Sequence, residues 1–303
     1  MKNMKKRLIY PFIVLALCCF GTQPVFAEET ENLEQKTEQK ESSSAPAFLK
    51  PKIAEVPIIM YHLVTKNSRY IGKHGITPEE LESDLKFLKE KGYQTIVMED
   101  LIAFVKKERD LPDKPIVLTF DDGNSSDYRY LYPLLQKYDM KAVVSVLGRP
   151  TDECTVLASN HEGTHNFPTL TWNQIKEMND SKLVEIQNHS YDLHKDEGSG
   201  QKQGESVEDY HKRLREDLKK MQARTKEMLG FEPNTFTYPF GIVSDNAKPV
   251  LDELEIIATL SCHDGINYLK ENDLECLYRL KRDNRPNGVS VSEVLEKMRR
   301  PQS

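Results

Sequence analysis

The sequence predicts an α/β protein whose parallel sheet closes into a (β/α) barrel, and three observations carry that expectation. The chain has 303 residues, 38% hydrophobic and 30% charged, enough to build a sizeable core. From Pro57 onward, short apolar runs alternate with amphipathic segments. Strands alternating with helices indicate a parallel sheet with helices outside, and a barrel closes such a sheet without leaving edges. Several of the apolar runs end in acids or histidines, at the face where a barrel carries its chemistry. The chain has no internal repeat.

The N-terminus reads as an export signal over residues 1–27. Lys2, Lys5, Lys6 and Arg7 form the positive flank, Leu8 to Phe20 the apolar stretch, and Val25-Phe26-Ala27 a small-residue cleavage site. Cleavage after Ala27 predicts a secreted or cell-surface protein. An uncleaved membrane anchor competes with this, although the apolar run is short of the ~20 residues that span a bilayer. Lipid on Cys18 or Cys19 is a further alternative, disfavoured by Leu17 and Cys18 as preceding residues. Residues 28–52, rich in Glu, Gln, Lys and Ser, read as a disordered polar linker that holds the domain away from a membrane or wall. Beyond the signal, Cys154, Cys262 and Cys276 form neither a disulfide framework nor a CxxC pair. The net charge of -6 and the absence of a basic cluster argue against a nucleic-acid partner.

Residues 53–303 read as one domain, expected to be monomeric. PIIMY is the first strand of the alternation. TPEELESDLKFLKEKG follows as a helix, with Thr77 as N-cap, Pro78 at the first position, Glu80 closing a capping box and Gly92 at the end. QTIVM, LIAFVKK, PIVLTF, YRYLYPLLQKY and AVVSVLG continue the pattern. Then come TWNQIKEMND, VEIQN, a long polar helix from about Ser206 to Leu229, TFTYP, a helix beginning near Ser244, IIATLS and LYRLKR.

PIVLTF ends on Asp121, Asp122 and Gly123. In a regular strand the two acids would point to opposite faces, so the glycine marks a turn where alternation stops. These acids are either a solvated turn or part of a site, and other strand ends decide which. VEIQN is followed by His189 and His194, five residues apart and therefore on a turn rather than one helix face. Two imidazoles and one carboxylate form a recognised catalytic metal arrangement, and Asp122 is an available acid. Without such an acid they would be surface histidines. TFTYPFG stiffens a loop around Phe240 with Pro239 and Gly241, and PIIMY leaves His62 beyond its strand; each alone is a weak signal.

TFDDG, followed by HSYDLH and YPFG, resembles the polysaccharide deacetylase family (carbohydrate esterase family four, the NodB-homology domain). Its members remove acetyl groups from sugars on a distorted (β/α) barrel. The resemblance covers nearly all of residues 53–303 and, with His62 early in the chain, is most similar to the exported poly-N-acetylglucosamine deacetylases of biofilms. It implies Asp121 as general base, His62 as general acid, and Asp122, His189 and His194 as ligands of one divalent metal: zinc, cobalt, nickel or manganese. The substrate it implies is an N-acetylated polysaccharide of the poly-N-acetylglucosamine or peptidoglycan type, with O-acetyl esterase activity as an alternative.

The chemistry agrees. An amide is a poor electrophile, and a bound divalent metal both polarises its carbonyl and acidifies water. The oxyanion would meet the metal and a backbone N–H from the loop of Tyr238, Pro239 and Phe240. One residue departs from the family pattern: Thr237 stands where an arginine usually pairs with the base. Arg279 or Arg282 could substitute; otherwise the chain would be a catalytically impaired carbohydrate-binding member of the same fold. Trp172 is expected to pack rather than line the sugar site. His161 to His165 matches the HExxH zinc motif, but Gly163, Asn166 and Pro168 make a poor helix there, so a loop is expected. A glycoside hydrolase has no use for paired histidines, and a non-haem iron site usually sits on an all-β fold.

Overall fold

The computed structural model describes residues 50–160 and 167–300. The export signal, nearly all of the polar linker and the His161 to His165 stretch lie outside the described residues. No described helix is long and apolar enough to cross a membrane.

The strands are β1 (Ile53–Val56), β2 (Ile58–Tyr61), β3 (Leu63–Val64), β4 (Gly75–Ile76), β5 (Gln94–Ile96), β6 (Pro115–Phe120), β7 (Ala142–Val146), β8 (Val184–Asn188), β9 (Thr235–Thr237), β10 (Ala258–Leu260), β11 (Asn267–Lys270) and β12 (Asp283–Asn284). The helices are α1 (Pro78–Glu90), α2 (Met98–Val105), α3 (Tyr132–Tyr138), α4 (Gly148–Ser159), α5 (Trp172–Asp180), α6 (Val207–Leu229), α7 (Lys248–Glu253) and α8 (Val291–Arg299). Local chemistry explains the helix ends. Thr77 and Glu80 exchange the reciprocal capping-box bonds at the start of α1. Ser206 caps α6, and Gly230 ends it in a left-handed conformation.

Eight strands form one parallel sheet in the order β10-β9-β8-β7-β6-β2-β12, with β5 also on β6. The sheet forks at β6. β5 occupies the first half of one edge, opposite Pro115 to Val117, and β7 the second half, opposite Thr119 and Phe120. The two ends of the curled sheet are joined by one stretch of chain. Leu280 makes a parallel bridge to Leu260 of β10, and β12 then pairs with Ile59 and Met60 of β2. This is the distorted barrel that the sequence predicts. A full strand over LYRLKR does not form, since only Leu280 pairs there and Arg279 turns the chain with φ +59°. QTIVM is also shorter than expected, because α2 starts at Met98. The antiparallel pair β1–β11, the short pair β3–β4, and helices α4 and α8 have no counterpart in the sequence reading.

Alternation along β6 divides its side chains. Ile116, Leu118 and Phe120 join the larger apolar cluster with helices α1, α3, α5 and α8, whereas Val117 faces an inner cluster with Ile58, Val143, Ala258 and Leu260. Thr119 and Asp121 follow Val117 by alternation on that inner face. Asp121 still belongs to the ladder, donating its N–H to Tyr61 O at 3.0 Å.

Candidate active site

Asp121, the first residue past β6, therefore keeps the inward alternation of the strand and is delivered into the barrel mouth by ordinary strand geometry. Alternation stops at Asp122 and Gly123, both left-handed at φ +75° and +64°. A side chain at Gly123 would also meet Val146 at 2.9 Å, so glycine is required there on two counts. The left-handed Asp122 is an unusual conformation for a non-glycine residue, and its effect is to turn the second carboxylate away from the first.

Inside the mouth, Asp121 and Arg282 form a buried ion pair. The guanidinium donates to Oδ1 at 2.8 Å and Oδ2 at 2.9 Å, and also to Thr119 Oγ1 and Ser261 O. Burial by itself would push the Asp121 carboxyl up, but the charge and hydrogen bonds of Arg282 hold it well below the usual carboxylate range. Arg282 thus takes the place beside Asp121 that Thr237 leaves open. It reaches there because its chain segment closes the barrel seam. Arg279 faces outward, pairing with the exposed Asp245.

His189 leaves β8 with its Nδ1 at 2.8 Å from the carbonyl of Thr237. A carbonyl only accepts, so Nδ1 carries the proton and Nε2 presents a lone pair. That nitrogen lies 3.5 Å from Asp122 Oδ1, and His194 Nε2 lies 3.2 Å from the same oxygen. Asp122 Oδ1 is buried and accepts no hydrogen bond. The three ligand atoms lie within 4.8 Å of one another. Such a set of converging acceptors, two imidazoles and a carboxylate, fits a divalent cation.

His62 sits just past β2 and lines the same cleft of about 940 Å³ as Asp121, Asp122, His189, His194 and Phe240. Its ring meets His74 edge-on at 4.6 Å, and its Nδ1 is buried without a partner. Burial lowers its pKa, while the charges of Asp121 and Asp122 act the other way. Phe240, left-handed at φ +58°, lays its ring 4.3 Å from that of His194.

A family model described as polysaccharide deacetylase matches residues 108–258, which hold both carboxylates and both histidines. The chain belongs to the polysaccharide deacetylase family. It is 30% identical to the YxkH protein of Bacillus subtilis (strain 168) over 174 residues, spanning 56% of this chain and only 56% of that relative's length. It is 23% identical to the poly-beta-1,6-N-acetyl-D-glucosamine N-deacetylase of Staphylococcus aureus (strain MSSA476) over 252 residues, 79% of this chain and 81% of the relative. The solved structure of a de-N-acetylase from Aggregatibacter actinomycetemcomitans superposes with a TM-score of 0.68 at 23% identity, covering 80% of this chain and 99% of that one, and shows the shared fold.

In the loop of Tyr238 to Phe240 the backbone N–H groups are not equivalent. The Tyr238 N–H is bonded to Leu260 O at 3.1 Å, and Pro239 has none. Phe240 is thus the residue of this loop whose N–H has no acceptor among the described residues. The Tyr238 phenol is buried and meets the Tyr278 hydroxyl. Trp172 lies away from the cleft, fully buried at the start of α5, with its indole N–H on Asp152 at 2.6 Å.

Two features escaped the sequence reading. The orienting carbonyl of Thr237 has no sequence signal, because any residue supplies a carbonyl. Asp127, five residues past Asp122, is fully buried with neither oxygen hydrogen-bonded, and burial together with the charges of Asp122 and Asp121 pushes its pKa up. It stood in plain view within DDGNSSDY, but neither its burial nor its lack of a partner can be read from spacing.

Proposed function

We propose that this chain is a metal-dependent hydrolase that removes N-acetyl groups from an extracellular or cell-wall polysaccharide of the N-acetylglucosamine type, releasing acetate. The observation that carries this reading is one cleft joining the Asp122, His189 and His194 acceptor set to Asp121, a base kept ionised by Arg282. The name of the Staphylococcus aureus relative supports the substrate class, and the export signal read over residues 1–27 supports a secreted or cell-surface setting. The Asp121–Arg282 pair favours a working enzyme over a carbohydrate-binding remnant.

A divalent cation on Asp122, His189 and His194 would supply a Lewis acid for the acetyl carbonyl and lower the pKa of water, zinc being the expected ion. Asp121 takes the proton of the attacking water; each of its oxygens keeps a lone pair beyond the one that Arg282 occupies. The Phe240 N–H meets the developing oxyanion, a contact typically worth about 3 kcal/mol. His62 protonates the departing amine, and its lowered pKa makes the protonated ring a stronger acid for that step.

The test is acetate and free-amine release from a panel of N- and O-acetylated glycans, with metal removed by chelation and then restored. No N-acetyl substrate turned over under any metal condition would sink the proposal. The purified protein is expected to hold about one divalent ion per chain, lost in both His189→Ala and Asp122→Ala, because the site has only three protein ligands. Metal retained by both variants would refute the ligand set.

His62→Ala is expected to slow amide hydrolysis at least ~100-fold more than hydrolysis of an activated acetyl ester, whose phenolate leaves without a proton. Equal losses on the two substrates would make His62 a structural or positioning group.

A further inference from the structure

The turn that carries the two histidines is held by groups from two helices, and its backbone bonds can be assigned almost one by one. His189 donates its N–H to Val146 O, and Ser190, left-handed at φ +79°, donates to Asn188 Oδ1 at 2.7 Å. Leu193 donates to Ser190 Oγ at 3.0 Å. The first N–H groups of α4 take the carbonyls: Gly148 N to Ser190 O at 3.1 Å and Arg149 N to Tyr191 O at 2.8 Å. The N–H groups of Tyr191 and Asp192 remain. Both go to Asp217 on α6, one to Oδ1 and one to Oδ2, each at 2.8 Å. Among the described residues Asp217 forms no salt bridge, so the turn is its partner.

Helix periodicity explains how the carboxylate reaches the turn. Leu214, Leu218 and Met221 are buried on the packed face of α6. Asp217 lies three residues after Leu214 and four before Met221, hence on that same face. An acid on an apolar face needs compensation, and two charge-assisted bonds from adjacent N–H groups supply it.

We propose that Asp217 is a positioning residue for the metal site, clamping the turn between His189 and His194 so that both Nε2 atoms converge on Asp122. The inference rests on the reading of Asp122, His189 and His194 as metal ligands. Without the carboxylate, two N–H groups lose their acceptor at the midpoint between the histidines, and His194 is no longer held in register with His189. A backbone clamp acting through the ligands affects affinity as outer-shell groups do, by about 10- to 100-fold.

The experiment measures Zn²⁺ affinity of the full chain by competition with a chromophoric chelator, alongside the visible absorption of the Co²⁺-substituted protein. Asp217→Ala is expected to weaken Zn²⁺ at least ~10-fold and to shift the Co²⁺ bands. Asp217→Asn, which keeps one acceptor oxygen, is expected to fall between Ala and the parent, and it carries the test if the alanine variant does not fold. Glu216→Gln, a charge removed from the neighbouring position, is expected to match the parent in both readouts. Asp217 variants with affinity within twofold of the parent and unshifted Co²⁺ bands would overturn the clamp. A parent chain that binds no Zn²⁺ would overturn the ligand assignment and the clamp with it.

Discussion

Asp121→Asn is expected to keep the metal and to lose turnover by a factor of roughly 100 or more. The substitution leaves Asp122, His189 and His194 in place, so metal content measured on the purified variant should equal that of the parent. What disappears is the proton acceptor. The change also puts an amide N–H₂ against the Arg282 guanidinium, donor against donor, in a pocket where Arg282 has no exposure to water. Leaving that buried cation without its counter-charge is expected to lower stability by about 3 kcal/mol, read as a drop in the denaturation midpoint. Parent-like turnover would identify another group as the base.

Arg282→Ala carries the second large effect, and pH separates it from a simple packing loss. In the parent the folded Asp121 carboxyl lies below its ordinary value of about 3.9. The pair therefore contributes stability above about pH 4, and that contribution is lost as pH falls through the folded value. Without Arg282, burial is the dominant influence on Asp121 and pushes its pKa above the unfolded value. The sign then reverses: the protonated acid is tolerated at low pH, and stability is lost as pH rises through the new folded value. The variant is expected to be less stable than the parent by about 3–5 kcal/mol at pH 7, with the gap narrowing toward pH 4. Urea denaturation of metal-free protein at both pH values measures this, and metal-free samples keep ion binding out of the comparison. A gap independent of pH would show that Arg282 acts through packing alone. In the metal-loaded variant, the acid limb of the activity profile should move to higher pH, since Asp121 must be ionised to accept a proton.

The alternation of strand and helix, the capping box of α1, the limits of α6 and the position of Asp121, Asp122, His189 and His194 just beyond strand ends were all legible from residue order. Each depends on interactions within a few residues: side-chain periodicity, a cap bonding three positions away, or a turn forced by glycine. Even the adjacency of the two acids follows from local rules. Asp121 obeys the strand period, and Asp122 departs from it where the chain turns left-handed.

The partners of those residues belong to tertiary structure. Arg282 and Arg279 sit three residues apart in similar sequence, and nothing local shows which one enters the barrel. The seam settles it: Leu280 joins β10, β12 joins β2, and of the two residues between them Arg282 faces inward onto Asp121. The carbonyl that orients His189 comes from Thr237, 48 residues away on the neighbouring strand. Asp217, 26 residues from Tyr191, reads in sequence as one more charge on a polar helix until α6 packs against the histidine turn. Local order determines where reactive groups leave the sheet, because strand and turn geometry repeat over a few residues. Which buried charge is paired, which imidazole nitrogen is free and which backbone groups are held depends on contacts made only when the sheet curls and closes, so they are properties of the closed barrel and not of any one segment.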